Sequence, residues 1–145
     1  MTSWIDQELT SKIIAAAIEV HRHLGPGLLE IAYQTCLAAE LEDRELKYQR
    51  EVVVPLTYKN RKLDCGFRVD FLIENEIIVE LKSVEVLLPV HESQILSYLR
   101  FMRKRVGLIL NFNESILKKG IRRFVMDQKD EAISLTQGKA RLISN

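Results

Sequence analysis

Ile5, Leu9, Ile13, Ala17, Val20 and Leu24 return at helical spacing, so residues of about 3–23 are predicted to form an amphipathic helix. Gly25, Pro26 and Gly27 break it, and Pro26 suits the entry to a second helix from about Leu28 to Leu46. Ile31, Cys36, Leu37 and Leu41 are the expected buried positions of that helix. The pattern then changes period. Residues 51–58 are β-branched and extended, and Pro55 puts this strand at a sheet edge or bends it. Lys59, Asn60 and Arg61 read as a turn into a further short strand.

Residues 67–83 alternate more strictly. Phe67, Val69, Phe71, Ile73, Ile77, Val79 and Leu81 fall on one face of a hairpin folded about Asn75, all apolar. Asp70 and Glu80 lie five positions either side of that turn, so antiparallel pairing sets them opposite each other. Their Cβ atoms are then roughly 4.5–5.5 Å apart. Lys82 shares the face of Glu80. Further on, Pro89 opens a helix from about Val90 to Lys104, with Ile95, Leu99 and Met102 as its apolar stripe. Residues 106–112 form a continuous apolar run, as in a central strand covered on both faces. Residues 121–126 read as one more strand, and 127–145 as a polar extension of weak periodicity. The order, two helices, three strands, a helix and a strand or two, predicts an α/β fold with a mixed sheet flanked by helices.

A chain of 145 residues, 47% apolar and 28% charged, is expected to form one soluble domain, residues 1–145, with a helix over 1–24 and the extension at its two ends. No apolar run approaches the roughly 18 residues that span a bilayer, and residues 1–6 show no secretory pattern. Cys36 and Cys65 stand far apart in no metal-ligand spacing, so reduced thiols and a cytoplasmic location are expected. The net charge of +1 gives no global argument for a polyanionic partner. The distribution says more. Between Arg100 and Arg123 there are eight basic residues against one acid, Glu114, and this run is expected to form a patch that receives phosphates. Arg122 and Arg123 are its candidate phosphate contacts.

Two opposed carboxylates on a half-covered sheet face are costly without a compensating cation. A like charge alongside raises one carboxylate's pKa, whereas a bound Mg²⁺ or Mn²⁺ lets both ionise, because hard cations prefer oxygen ligands. The expected metal ligands are Asp70, Glu80 and the backbone carbonyl of Leu81. Lys82 would act on an attacking water or on developing phosphate charge. This set is what divalent-metal hydrolysis of a phosphodiester requires. The competing reading is a solvated outer face carrying a cross-strand salt bridge.

An acid on one strand and Glu-x-Lys on the next, here Asp70 and Glu80 to Lys82, resemble the motif of the PD-(D/E)XK nuclease superfamily. Val69 stands where that motif often has proline. Gly27, Glu30 and Tyr33 match the signature of its GxxExxY branch, and segments 23–26, 91–94, 97–99 and 107–112 look like that branch too. The likeness covers approximately residues 5–126. It implies a restriction-endonuclease-like fold with an αβββαβ core and DNA as substrate class. It also implies Glu30 as a further metal ligand, direct or through water, where the bland reading is a carboxylate favoured by the helix dipole. Tyr33 is either a supporting site residue or a core aromatic with a satisfied hydroxyl. Gln94 and Tyr98, four apart on one helix face, resemble the Gln-x-x-x-Tyr element of the RecB-like branch and would support the site. His91 reads as a helix N-terminal histidine. No specificity domain is expected, so sequence targeting would come from a homo-oligomer or a partner protein. The alternatives are a non-catalytic nucleic-acid-binding module and a protein-interaction module on the same scaffold.

Overall fold

The computed structural model describes residues 7–126 and the backbone of two short strands beyond them, at 132–134 and 141–143. The first six residues, where the sequence pattern begins the first helix, lie outside the described residues, as does most of the extension. Helix α1 (Gln7–Leu24) has Glu8 in its first turn and His21, Arg22 and His23 in its last, an order that suits the helix dipole. It buries Ile13, Ala16, Ala17 and Val20. Gly25, at φ +68°, closes it by donating its N–H to the His21 carbonyl at 2.8 Å. Helix α2 (Glu30–Asp43) starts later than the sequence suggests. Pro26 sits in the connecting loop, because Gly27 turns the chain at φ +97° and Leu29 is still extended.

Next come β1 (Tyr48–Tyr58), β2 (Arg61–Ile73), β3 (Ile77–Lys82), α3 (Pro89–Met102), β4 (Val106–Asn111) and β5 (Ile121–Met126), then β6 (Ala132–Ser134) and β7 (Arg141–Ile143). They form one sheet in chain order. Among the described residues only β3 and β4 are parallel, and α3 supplies the crossover that parallel neighbours need. The α/β class and mixed sheet are as the sequence indicated. β1 is an edge strand, and its register with β2 shifts between Val53 and Pro55, as the proline foretold. β2 corrects the sequence reading: the short strand after the turn and the first hairpin strand are one. Gly66, at φ +85°, bends it without ending it, and its N–H donates to Asp64 Oδ1 at 2.9 Å.

The sheet is covered on both faces. Phe71, Ile73, Ile77, Val79 and Leu81 pack with Leu108 and Leu110 against Ile13, Ala17, Leu37 and Leu41 of α1 and α2. Leu72, Ile78 and Ile109 pack against Ile95, Leu96 and Leu99 of α3. All six residues of β4 are buried, as expected of a central strand. Phe67 and Val69 depart from the alternation. Val69 is buried with Leu72 and Ile78 on the α3 side, and Phe67 lies 40% exposed with its ring 6.0 Å from that of Tyr98. The outer half of the β1–β2 hairpin therefore curls over α3, and the change of face falls at Asp70. Opposite Asp70 in β1, Glu51 takes φ +53° and interrupts the regular strand geometry there.

The basic run from Arg100 to Arg123 divides between the two ends of the sheet. Val106 pairs with Ile77, next to the β2–β3 turn, whereas Leu110 pairs with Leu81 and with Ile121. Arg103, Lys104 and Arg105 precede Val106 and so lie at the turn end, where Lys104 Nζ donates to the Asn75 carbonyl at 3.0 Å. Lys118 and Lys119 precede Ile121 at the Glu80 end, roughly 17 Å away along the strands. Closeness in sequence does not make one patch here.

Gly120, just before β5, has no room for a side chain. A Cβ there would stand 2.5 Å from the Asn111 backbone oxygen and 2.9 Å from Glu114 Cγ. Gly120→Ala is expected to cost about 1–3 kcal/mol, read as a lower midpoint in thermal denaturation. A midpoint matching the wild type would show that this junction relaxes freely. Among the described residues, no helix is long and apolar enough to cross a membrane.

Candidate active site

The hairpin ladder runs Ile73–Ile77, Leu72–Ile78 and Phe71–Val79, the register expected from symmetry about Asn75, and then stops. Side chains replace its next rung. Asp70 donates its N–H to Glu80 Oε1 at 2.8 Å, and Leu81 donates its N–H to Asp70 Oδ2 at 2.7 Å. Each acid thus accepts from the backbone of the opposite strand and holds the two chains apart. A strand residue's N–H and C=O point to the same side, so the Leu81 carbonyl also faces this opening.

The pair is electrostatically strained. Glu80 is only 8% exposed. Burial first, and the Asp70 charge second, push its pKa up to about 8. Asp70 is raised too, chiefly by burial and then by the charges of Glu51 and Glu30, although the Leu81 amide offsets part of this. Lys82 lowers both, yet its ammonium makes no hydrogen bond or ion pair among the described residues. Its half-buried ammonium is close enough to be felt and is committed to neither acid. Glu80 Oε2 likewise accepts no hydrogen bond among the described residues.

The segment after Lys82 is fixed by buried Asn111. Its side chain donates to the Val84 carbonyl at 2.9 Å and accepts from the Val84 N–H at 3.1 Å. Ser83 Oγ donates to the Leu28 carbonyl at 2.7 Å, which ties this segment to the loop before α2. That loop is stapled by Tyr33, fully buried and stacked on Phe112 with ring centroids 4.5 Å apart. Tyr33 donates to the Gly25 carbonyl at 2.6 Å and accepts from the Leu28 N–H at 3.1 Å. Its hydroxyl is saturated, as in the second of the two readings for Tyr33, a core aromatic with a satisfied hydroxyl, and from the core it ties the loop.

Glu30 is exposed in the first turn of α2 and raises the pKa of Asp70 and Glu80 through its charge. Among the described residues, no group of three or more His, Cys, Asp or Glu side chains is gathered to hold a metal ion. Tyr98 is buried on α3, and burial, then Glu80 and Asp70, raise its pKa, which keeps its hydroxyl protonated. Gln94, one turn earlier and half-buried, makes no hydrogen bond among the described residues. His91 accepts from the Leu88 N–H at 3.0 Å through Nδ1, the helix-terminal role expected of it.

Three residues at the site escaped the sequence reading. Gln34 of α2 bonds Asp70 Oδ1 at 3.2 Å and Glu51 Oε2 at 3.1 Å, and Arg50 bonds Gln34 in turn. Gln34 had a signal, since it stands four residues after Glu30 on one helix face. Arg50 and Glu51 had none, because adjacent residues of a regular strand point to opposite faces.

A helix-flanked mixed sheet with an acid on one strand and Glu-x-Lys on the next defines a restriction-endonuclease-like protein. The model of the PD-(D/E)XK nuclease superfamily matches residues 7–124, and the chain belongs to that superfamily. No curated protein and no solved structure matches it.

Proposed function

We propose that this protein is a metal-dependent nuclease that hydrolyses phosphodiester bonds, with DNA as substrate and Mg²⁺ or Mn²⁺ as cofactor. The observation that carries the reading is the parted rung, where half-buried Asp70 and buried Glu80 face each other with no cation paired to either among the described residues. The donors fit a hard divalent ion, being all oxygen: Asp70, Glu80 and the Leu81 carbonyl, with Glu30 acting through water. Such an ion, when bound, supplies Lewis acidity at the phosphoryl oxygen and lowers the pKa of water.

The chain's own groups do the rest. Asp70 and Glu80 are held rigid by backbone amides, so little reorganisation accompanies binding. Lys82, uncommitted, offers its ammonium to charge that develops on the transferring phosphoryl group. Tyr98 keeps its proton and donates to a phosphate oxygen, and Gln94 extends from the same helix toward the substrate strand. Lys118 and Lys119, which precede β5 at this end of the sheet, receive flanking phosphates. The proposed location is cytoplasmic, with a second copy or a partner protein supplying any sequence preference.

Purified protein with Mn²⁺ is expected to degrade linear DNA on a gel, and Asp70→Asn to lose both cleavage and the heat of Mn²⁺ binding in isothermal titration. DNA binding that weakens with salt, without cleavage in any divalent metal, would instead select a non-catalytic binding module on the same scaffold.

A further inference from the structure

We propose that Gln34, oriented by Arg50 and shared between Asp70 and Glu51, is a positioning residue that sets the Asp70 carboxylate for the cation; this rests on the metal-dependent reading above. Gln34 is buried on α2, and all four of its amide bonding positions are used. Its Oε1 accepts from Arg50 Nη2 at 2.8 Å and Nε at 3.2 Å. Its Nε2 donates to Asp70 Oδ1 at 3.2 Å and to Glu51 Oε2 at 3.1 Å. A guanidinium only donates and a carboxylate only accepts. The amide therefore has one permissible orientation, with its NH₂ turned toward the two acids.

The backbone is bent to make this possible. Arg50 and Glu51 are neighbours in β1 and in regular strand geometry would face opposite ways. Glu51 instead takes φ +53°, uncommon for a residue with a Cβ, and lies between the pairs Arg50–Phe71 and Val52–Val69, opposite Asp70. That left-handed residue turns both side chains onto the one glutamine. Strain of this kind persists where the surroundings over-determine it, commonly beside functional groups. Asp70 is consequently gripped at both oxygens, by Gln34 from α2 and by the Leu81 amide from β3. Partners of this type orient metal ligands, and their loss typically weakens metal affinity by 10–100-fold.

The test is isothermal titration of Mn²⁺ into full-length variants, with circular dichroism confirming the fold. Gln34→Glu keeps the acceptor for Arg50 but cannot donate, and is expected to weaken Mn²⁺ binding by about 10–100-fold. Arg50→Ala removes an exposed side chain, leaves Gln34 Oε1 without its two donors so that the amide is held from the acid side alone, and is expected to weaken binding by about 3–10-fold, with Arg50→Lys recovering part of the loss. Combining Gln34→Glu with Arg50→Ala is expected to cost no more than Gln34→Glu alone, because Arg50 acts through the glutamine. Wild-type affinity in both folded single variants would overturn the proposal. If Gln34→Glu fails to fold, wild-type affinity in Arg50→Ala overturns it alone. Absence of binding heat from the wild type would instead overturn the metal-dependent reading beneath it.

Discussion

Lys82→Ala is expected to lower DNA cleavage by about 10²–10³-fold, the usual loss when one preorganised charge-stabilising group is removed. The substitution separates chemistry from structure because the Lys82 ammonium makes no hydrogen bond or ion pair among the described residues. Its backbone carbonyl accepts from the Phe112 N–H at 2.8 Å, and alanine retains that bond. The loss should therefore fall on kcat, with KM and the circular dichroism spectrum close to wild type. Lys82→Met, which keeps most of the apolar stem, should fall as far as alanine if charge is the operative property. Cleavage that persists in both variants would remove the lysine from the mechanism.

Glu80→Gln is expected to abolish cleavage while making the metal-free protein more stable at alkaline pH. Glu80 has its folded-state pKa raised from 4.5 to about 8. A raised value means that the fold favours the protonated form. Its contribution is fully present below about 4.5 and is lost as pH climbs through about 8. Asp70 is shifted the same way and adds in the same direction. The substituted glutamine cannot ionise, and its side-chain oxygen can still accept from the Asp70 N–H. The variant should match the wild type below the ordinary carboxylate value of 4.5 and exceed it near pH 9 by on the order of a few kcal/mol, about 1.4 kcal/mol per unit of displacement. Thermal melts at the two pH values read this directly, at roughly 3–4 °C per kcal/mol for a chain of this size. Mn²⁺ should raise the wild-type midpoint near pH 9 and leave the variant unmoved. Parallel pH profiles for the two proteins would show that the acid pair is not strained.

The acid pair was legible because it depends on the simplest rule a strand offers. Alternation of period two and equal distances from Asn75 set the register, and the observed ladder keeps it. The central burial of β4 followed from its unbroken apolar run. The Arg50–Gln34–Glu51 contacts were not legible, because they require a left-handed backbone at Glu51 that no β-propensity announces. Val69 was assigned to the wrong face for a related reason: alternation assumes a strand that does not curl, and β2 does so at Asp70. Tyr33 matched a family signature, but only its two hydroxyl bonds show that it serves the loop. The basic run misled because sequence distance is blind to which end of a strand a residue precedes.

The amide clamps on the acid pair also bear on which ions suit the protein. One lone pair of Glu80 Oε1 and one on each Asp70 oxygen are already engaged by N–H groups. Chelation by both oxygens of a single carboxylate, on which a large ion such as Ca²⁺ draws to fill seven or eight positions, competes with those bonds. A compact octahedral ion that keeps much of its hydration shell makes no such demand. On the metal-dependent reading, the hydrogen bonds that finish the sheet would act as a size filter, and discrimination against calcium is expected from the way two strands come to an end.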